Sequence, residues 1–428
     1  MKSVDEICEI LKNQNVFLTG GAGVGKSYTT NKIINEYKKD GKGVVALGST
    51  GVSAVAIGGV TLHSFFIFGI ADSLEALSSG DKRSKGRLKE LGEILEATEL
   101  IIIDEISMVS SSVLDMISYR LGKMKYKGKI LFVGDFYQLP PIQKNSGKSD
   151  GLFDDRLYAF ESDAWASFAP VVVELTQMHR TDDLHFTQIL SKIRQGVCDN
   201  EVTNYLQEIK NNSVTQNSTY LFGRNAEVDI MNREKLVALS GKEEVLISMT
   251  KQLQKLDERR VVSWKNMLPV SDILALKVGA PVLFCVNKWG KFANGEHGIV
   301  KEINDEFILV EKSDKIVRVE PHLFELTEIH LDKNGKPESS TLATLSQFPL
   351  RLAYAITIHK SQGMSIDRLV CNLDNIFAPS QLYVALSRAT SPKGLSIDFN
   401  RGNFEAYLHK MISVDSRVDE YYCSLSNN

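Results

Sequence analysis

The sequence predicts an α/β protein with parallel sheets and a small all-β module set into its second half. Three features predict it. Short β-branched apolar runs alternate with helical stretches, as strands buried on both faces do. A complete G-x-x-x-x-G-K-S stretch, Gly20 to Ser27, stands between an apolar run and an amphipathic one. From Gly279 to Leu326 the texture changes to short alternating runs joined by turn signals such as Asn294-Gly295.

The first run, Val16 to Leu18, leads into the glycine-rich turn, and SYTTNKIINEYK follows it. This is the strand–loop–helix order of a phosphate-binding loop. Gly21, Ala22, Gly23, Val24 and Gly25 would turn backbone N–H groups toward an anion, with the positive end of the next helix, which includes Tyr28, behind them. Lys26 would reach the β- and γ-phosphates and Ser27 would ligate Mg²⁺. Further runs follow at VVALGST (Val44 to Thr50), LIIIDE (Leu100 to Glu105), ILFVGD (Ile130 to Asp135) and VVVELT (Val171 to Thr176). They carry Ser49, Asp104, Asp135 and Thr176 at their carboxyl ends, where such sheets bind ligands. Between Phe66 and Lys89 the pattern breaks into a Gly/Ser-rich, then basic stretch with Lys82, Arg83, Lys85, Arg87 and Lys89, read as an insertion. The charged stretch Lys242 to Arg260 reads as helix. A second strand-and-helix set begins near Thr219 and resumes at Leu350 with RLAYAIT, LVCNL and GLSIDF.

Composition narrows the class without deciding it. A chain of 428 residues suggests several folding units. No apolar run approaches the length of a membrane span, and the start is neither a signal peptide nor a transit sequence. The five cysteines, Cys8, Cys198, Cys285, Cys371 and Cys423, show no C-x-x-C spacing. That points to a reducing, cytoplasmic setting rather than a zinc site or a disulfide framework. The net charge of −3 rules out a global basic field, so any nucleic acid would be held in a local groove.

The residues after the phosphate loop suggest hydrolysis. Asp104 stands where a carboxylate would hold Mg²⁺ through water, and Glu105 beside it suits the base that orients an attacking water. Gln138, in GDFYQLPP, can both donate and accept, and so could register a γ-phosphate without changing local charge. Arg180, after ELTQMH, and Arg388, in LYVALSRAT, are candidates for arginines presented by a second domain. Such an arginine contributes on the order of 10³–10⁵ in rate during phosphoryl transfer.

The ordered series GGAGVGKS, TGVSAVAIGGVTLHSFF, LIIIDEISMV, GDFYQLPP, ELTQMHRTDD, AYAITIHKSQGMSID and QLYVALSRAT resembles the superfamily 1B DNA helicases. The match looks nearest to the PIF (petite integration frequency) helicases, with RecD and Dda as more distant relatives. It runs from about Val16 to Asp398. The resemblance implies a 5′→3′ translocase on single-stranded DNA that unwinds duplex and uses ATP and Mg²⁺. Its expected partners are single-stranded DNA and single-strand/duplex junctions, not a membrane, and it is expected to act as a monomer. It also implies two RecA-like P-loop NTPase domains. The first would span 1–65 and 88–185, with a β-ribbon insertion at 66–87. The second would span 186–270 and 345–428, with an SH3-like module at 271–344. By position, Lys26, Ser27, Asp104, Glu105, Gln138, Arg180 and Arg388 take the nucleotide roles argued above. Thr50, Gly51, Thr61, His63 and Phe65 match the family's first DNA-contacting motif, and Thr357, His359, Lys360 and Ser361 a later one. His63 and Phe65 offer flat faces for base stacking, whereas Phe66 and Phe68 read as core.

The sequence departs from the family in four places. No glutamine stands upstream at the adenine-reading distance, since Gln14 is too near Val16. Val24 replaces a threonine, MHRTDD lacks the usual phenylalanine and glutamine around its arginine, and KMKYKGK replaces a proline–phenylalanine–glycine–glycine segment. Two other readings compete with the PIF type. One is a RecD/Dda-like recombination or phage helicase; the other is a P-loop ATPase that clamps single-stranded DNA without unwinding it.

Overall fold

The five apolar runs of the first half pair into one sheet, joined by the two-residue strand Val60–Thr61. The computed structural model describes residues 2–69, 71–82, 84–141, 156–213, 217–376 and 378–426, so Arg83 of the basic stretch lies outside it. The strands are β1 (Val16–Thr19), β2 (Val44–Gly48), β3 (Val60–Thr61), β4 (Leu100–Asp104), β5 (Lys129–Val133) and β6 (Val171–Glu174), ordered β3-β2-β4-β5-β1-β6. All are parallel, with Val16 opposite Leu131 and Val171, and Ile101 opposite Val45 and Ile130. Both faces are covered, which is why the strands read as unbroken apolar runs. Phe17, Leu18, Ile101, Ile102, Ile103, Leu131 and Phe132 are fully buried. The order sets β5 between β1 and β4, so the loops leaving these three strands meet at one edge.

The insertion is helical, which corrects the expected β-ribbon at 66–87. Among the described residues it holds the helix Leu74–Asp81, capped by the Ser73 side chain, and the start of the helix Lys85–Glu96. Leu77, Leu88, Leu91, Ile94 and Leu95 recur at helical spacing on the buried faces. A buried ion pair between Asp81 and Arg120 of the helix Ser111–Lys123 fastens the insertion to the domain.

The chain divides into two compact units, one of Met1–Gln177, Thr327–Thr341 and Ser416–Asn428, the other of Met178–Leu326 and Leu342–Asp415. The division differs from the sequence reading in three respects. Thr327–Thr341, expected within the SH3-like module at 271–344, falls in the first unit. Arg180 falls in the second unit, not in a first domain ending at 185. The last helix, Ser416–Ser426, packs with the first unit instead of completing the second. Its Tyr421 ring explains the difference: it stacks on Phe160 at 4.5 Å and meets Phe136 edge-on at 5.6 Å, inside the first unit's aromatic cluster.

The second unit also carries a parallel sheet. Its strands β7 (Thr219–Phe222), β18 (Ala355–Thr357), β19 (Leu369–Asn372) and β20 (Leu395–Asp398) are ordered β18-β7-β19-β20. The β module lies between β7 and β18 in sequence. Its strands are β8 (Glu244–Ile247), β9 (Met249–Gln252), β10 (Ile273–Leu276), β11 (Pro281–Phe284), β12 (His297–Ile303), β13 (Ile308–Lys312), β14 (Lys315–Val319), β15 (His322–Leu331), β16 (Pro337–Gln347) and β17 (Leu350–Leu352). Antiparallel β14-β13-β12-β11-β17 encloses Val282, Phe284, Val300, Ile308, Val310 and Leu350, with Phe292 stacked on Phe284 at 4.2 Å. Lys242 to Arg260 is not the expected helix. β8 pairs with β10 and β9 with β16, and only Glu258–Met267 turns helical. Partner strands override the weak helix preference of this charged run.

Candidate nucleotide and DNA site

The phosphate loop follows β1 and is shaped by glycines where no other residue fits. A Cβ on Gly20 would lie 2.2 Å from Leu175 O. Gly25 caps the helix Lys26–Lys39 in the left-handed region, at φ 89°. The Lys26 ammonium donates to Gly20 O at 2.7 Å and to Gly21 O at 2.9 Å, folded back over the loop it would share with a phosphate. Ser27 and Tyr28 occupy the helix's first turn, where Tyr28 is 65% exposed, and Lys32 lies over its ring at 4.6 Å.

The neighbouring strands bring the acidic pair and the glutamine to the same edge. Asp104 ends β4, and its carboxylate accepts from Glu105 N–H at 2.9 Å. Burial, and then the charge of Glu105, push the Asp104 carboxyl well above the ordinary range, with the Lys26 ammonium pulling the other way. Glu105 itself adopts φ 54°, uncommon for a side-chain-bearing residue and the kind of local strain that gathers at functional sites. After β5, Asp135 is fully buried and its carboxylate accepts from Gln138 Nε2 at 3.3 Å and Tyr137 N–H at 3.3 Å. Gln138 is buried and tethered beside the loop. Asp135, expected only as a polar strand end facing a ligand, is the group that holds the Gln138 side chain, a link that the sequence did not show.

In the second unit Arg180 and Arg388 come together. The Arg180 guanidinium donates to Ser365 Oγ at 2.9 Å and to Ser387 O at 2.6 Å. Burial first, and then the like charge of Arg388, push its pKa down to about 9, which leaves it charged at neutral pH. Arg388 is buried, donating to Val384 O at 2.9 Å and Ser387 Oγ at 3.0 Å, with Ser361 O at 3.5 Å.

The residues matched to DNA contacts divide by exposure. Thr50 and Thr61 cap short helices, Thr50 accepting from Ser53 N–H at 3.1 Å and Thr61 from Ser64 N–H at 3.4 Å, and Gly51 begins the helix Gly51–Ala56. His63 is exposed on the helix Leu62–Phe65, edge-on to Phe68 at 5.7 Å. Phe65 is a correction. It is only 7% exposed, three positions from buried Leu62 on the inward face, and packs edge-on to Phe66 at 5.0 Å. Its ring is core, as are those of Phe66 and Phe68, and it offers no face for a base. At the end of β18, Thr357 and Ser361 are buried, and the Ser361 hydroxyl donates to Ile358 O at 2.8 Å. That hydroxyl is already satisfied, so the outward groups of this segment are His359 and Lys360. Burial lowers the pKa of both, and the charge of Arg351 lowers that of Lys360 further. Lys360 borders a groove of about 270 Å³ shared with Asp229, Arg233 and Arg351.

A phosphate loop with an acidic strand end and a buried glutamine on adjacent parallel strands defines the P-loop ATPase class. Within it, residues 1–211 match the family model described as PIF1-like helicase, and residues 317–416 match one described as helicase. The ATP-dependent DNA helicase Pif1 of Campylobacter jejuni subsp. jejuni is 43% identical over 437 residues, covering 98% of this chain and 96% of that one. The human ATP-dependent DNA helicase PIF1 is 32% identical, covering 97% of this chain and 62% of that protein. Bacteroides sp. Pif1 in complex with ADP-AlF4 has a similar structure, with a TM-score of 0.84 at 28% identity, covering 100% of this chain and 97% of that one. Bacteroides Pif1 bound to ssDNA aligns with a TM-score of 0.65 at 28% identity, over 99% and 96% of the two chains. The chain belongs to the PIF1-like helicase family.

Proposed function

We propose that this protein is an ATP-dependent DNA helicase that moves 5′→3′ on single-stranded DNA, acts at single-strand/duplex junctions and unwinds the duplex ahead. The observation that carries the reading is the meeting of the phosphate loop, the Asp104–Glu105 pair and the Asp135-tethered Gln138 at the ends of β1, β4 and β5. Membership of the family, and the nucleotide and ssDNA complexes of the Bacteroides relatives, support it.

Each side chain has a task in this mechanism. Lys26 exchanges its loop carbonyls for the β- and γ-phosphates, whose negative charge it meets better than a carbonyl dipole does. Glu105 orients the attacking water, and Gln138 hydrogen-bonds the γ-phosphate. Arg180 and Arg388 stabilise the charge that develops in the transition state. The donor set fits Mg²⁺: Ser27 and Asp104 are oxygen donors, and the Asp104 carboxylate, whose proton affinity burial and the charge of Glu105 raise, would gain from a cation. A hard ion with few protein ligands, completed by water and phosphate, is the habit of Mg²⁺. When bound, Mg²⁺ supplies charge neutralisation at the β- and γ-oxygens. On the DNA side, His63 stacks on a base and Lys360 holds a phosphate, contacts that carry no sequence information. Opening a base-pair step costs on average about 1.4 kcal/mol, well within the free energy of one hydrolysed nucleotide.

The test is strand displacement on duplexes with a 5′ or a 3′ single-stranded tail. Displacement from the 5′ tail alone is expected. DNA-stimulated hydrolysis without displacement on either tail would establish a clamp, and displacement only from the 3′ tail would reverse the polarity.

A further inference from the structure

The segment bearing Gln138 leaves its strand as irregular backbone, so each N–H in it needs an acceptor other than a neighbouring strand. Gly134 N–H donates to Leu18 O at 3.1 Å, Tyr137 N–H to the Asp135 carboxylate at 3.3 Å, and Gln138 N–H to Asp135 O at 2.9 Å. The acceptor for Phe136 N–H comes from the far end of the chain. It is the Tyr422 hydroxyl, at 3.2 Å, on the helix Ser416–Ser426. The same hydroxyl lies 3.0 Å from Oγ1 of Thr19, the last residue of β1, which is itself buried. The Tyr422 ring stacks on Tyr137 at 4.5 Å and 11°. Tyr421 beside it fills the cluster of Phe136, Phe160 and Trp165, and Arg417 lies 3.7 Å from the Glu161 carboxylate and over the Tyr158 ring at 5.2 Å.

We infer that Tyr422 is a positioning residue for hydrolysis, a clasp that holds the Gln138 segment against the residue preceding the phosphate loop. Three observations converge on it. One hydroxyl bonds both elements that frame the γ-phosphate position, Thr19 before Gly20 and Phe136 before Gln138. Its ring lies flat on the residue between Phe136 and Gln138. The helix that carries it is anchored by Tyr421 and Arg417, so the hydroxyl is held with little freedom. A glutamine that senses phosphate works only if its backbone is fixed relative to the phosphate loop, since a small misplacement costs rate out of proportion to its size. Sequence gives no sign of this, because Tyr422 is 284 residues beyond Gln138 and belongs to none of the motifs.

The inference rests on Gln138 as the γ-phosphate sensor, and a double-mutant cycle separates the two claims. Tyr422→Phe keeps the ring and its stack and removes only the hydroxyl. Measured on the full chain with single-stranded DNA present, its kcat for ATP is expected to fall by about threefold to tenfold, the weight of about one hydrogen bond, with nucleotide affinity unchanged. In a Gln138→Ala background the same change should cost nothing further, because its route of action is already gone. A role confined to stability would instead lower the melting temperature without this non-additivity. If Gln138→Ala leaves turnover intact, the sensor reading fails. If Gln138→Ala collapses turnover while Tyr422→Phe is silent, or lowers kcat equally in both backgrounds, the clasp is overturned and the sensor stands.

Discussion

Replacing Asp81 by alanine removes the counter-charge of a fully buried arginine. Arg120 Nη1 donates to Asp81 Oδ2 at 2.7 Å, Nη2 lies 2.7 Å from Oδ1, and Lys123 Nζ reaches Oδ2 at 2.8 Å. Arg120 Nε also donates to Phe66 O at 3.0 Å, so the pair ties the helical insertion to the backbone just beyond His63. Truncating one partner of such a pair costs about 3–5 kcal/mol, because the other charge is left buried and uncompensated. For a unit of roughly 200 residues, at about 2–4 °C per kcal/mol, the first unit should melt about 6–20 °C lower by calorimetry. Asp81→Ala with Arg120→Met should recover part of this loss. An apolar pair replaces a buried ion pair at little cost, but Phe66 O then lacks its donor. The pH dependence has a definite sign. The Arg120 hydrogen bond, foremost, holds the Asp81 carboxyl below its usual range, with Lys123 adding to it. Its contribution is therefore complete above the unfolded value of about 3.9 and is lost as pH falls through the lower folded value. The gap between wild type and Asp81→Ala should close in acid. Melting of the single variant at the wild-type temperature, or a gap that widens below pH 4, would refute this account of the insertion's anchorage.

Three further outcomes are expected. Lys26→Ala should abolish DNA-stimulated ATP turnover in a phosphate-release assay, and retained turnover would remove the phosphate loop from the mechanism. Arg388→Ala should lower kcat on the order of 10³-fold while fluorescent-nucleotide titration finds binding nearly unchanged; a proportional loss of affinity would make it a ground-state ligand. His63→Ala should weaken single-stranded DNA binding by about 1–3 kcal/mol in anisotropy titrations, whereas Phe65→Ala should instead lower stability by about 3–5 kcal/mol, and equal effects on DNA affinity would contradict the burial of Phe65.

What the sequence revealed and what it hid divide along a physical line. Parallel strands buried on both faces announce themselves, because every position must be apolar, and so the runs that became β1, β4 and β5 were legible with their site-bearing ends. Gly20 and Gly25 were legible for the same reason, since the backbone there admits nothing else. Direction was not legible for a ring on a short helix. Phe65 and His63 sit two residues apart in a matched motif, and only the register of Leu62–Phe65 decides that one faces the core and the other solvent. Pairing between distant segments was equally hidden. Val245 and Ile247 became strand because β10 lay ready to pair, although their local composition favoured helix. Buried polar contacts were the least legible of all. Arg120 looks like a surface residue of an amphipathic helix until Asp81 is found beneath it. Tyr422 looks like a tail residue until its hydroxyl is found between Thr19 and Phe136. Motifs report the groups that touch the ligand, because chemistry constrains their identity. The groups that hold those groups are constrained only by geometry, which many residue types can satisfy, and a single sequence therefore carries no mark of them.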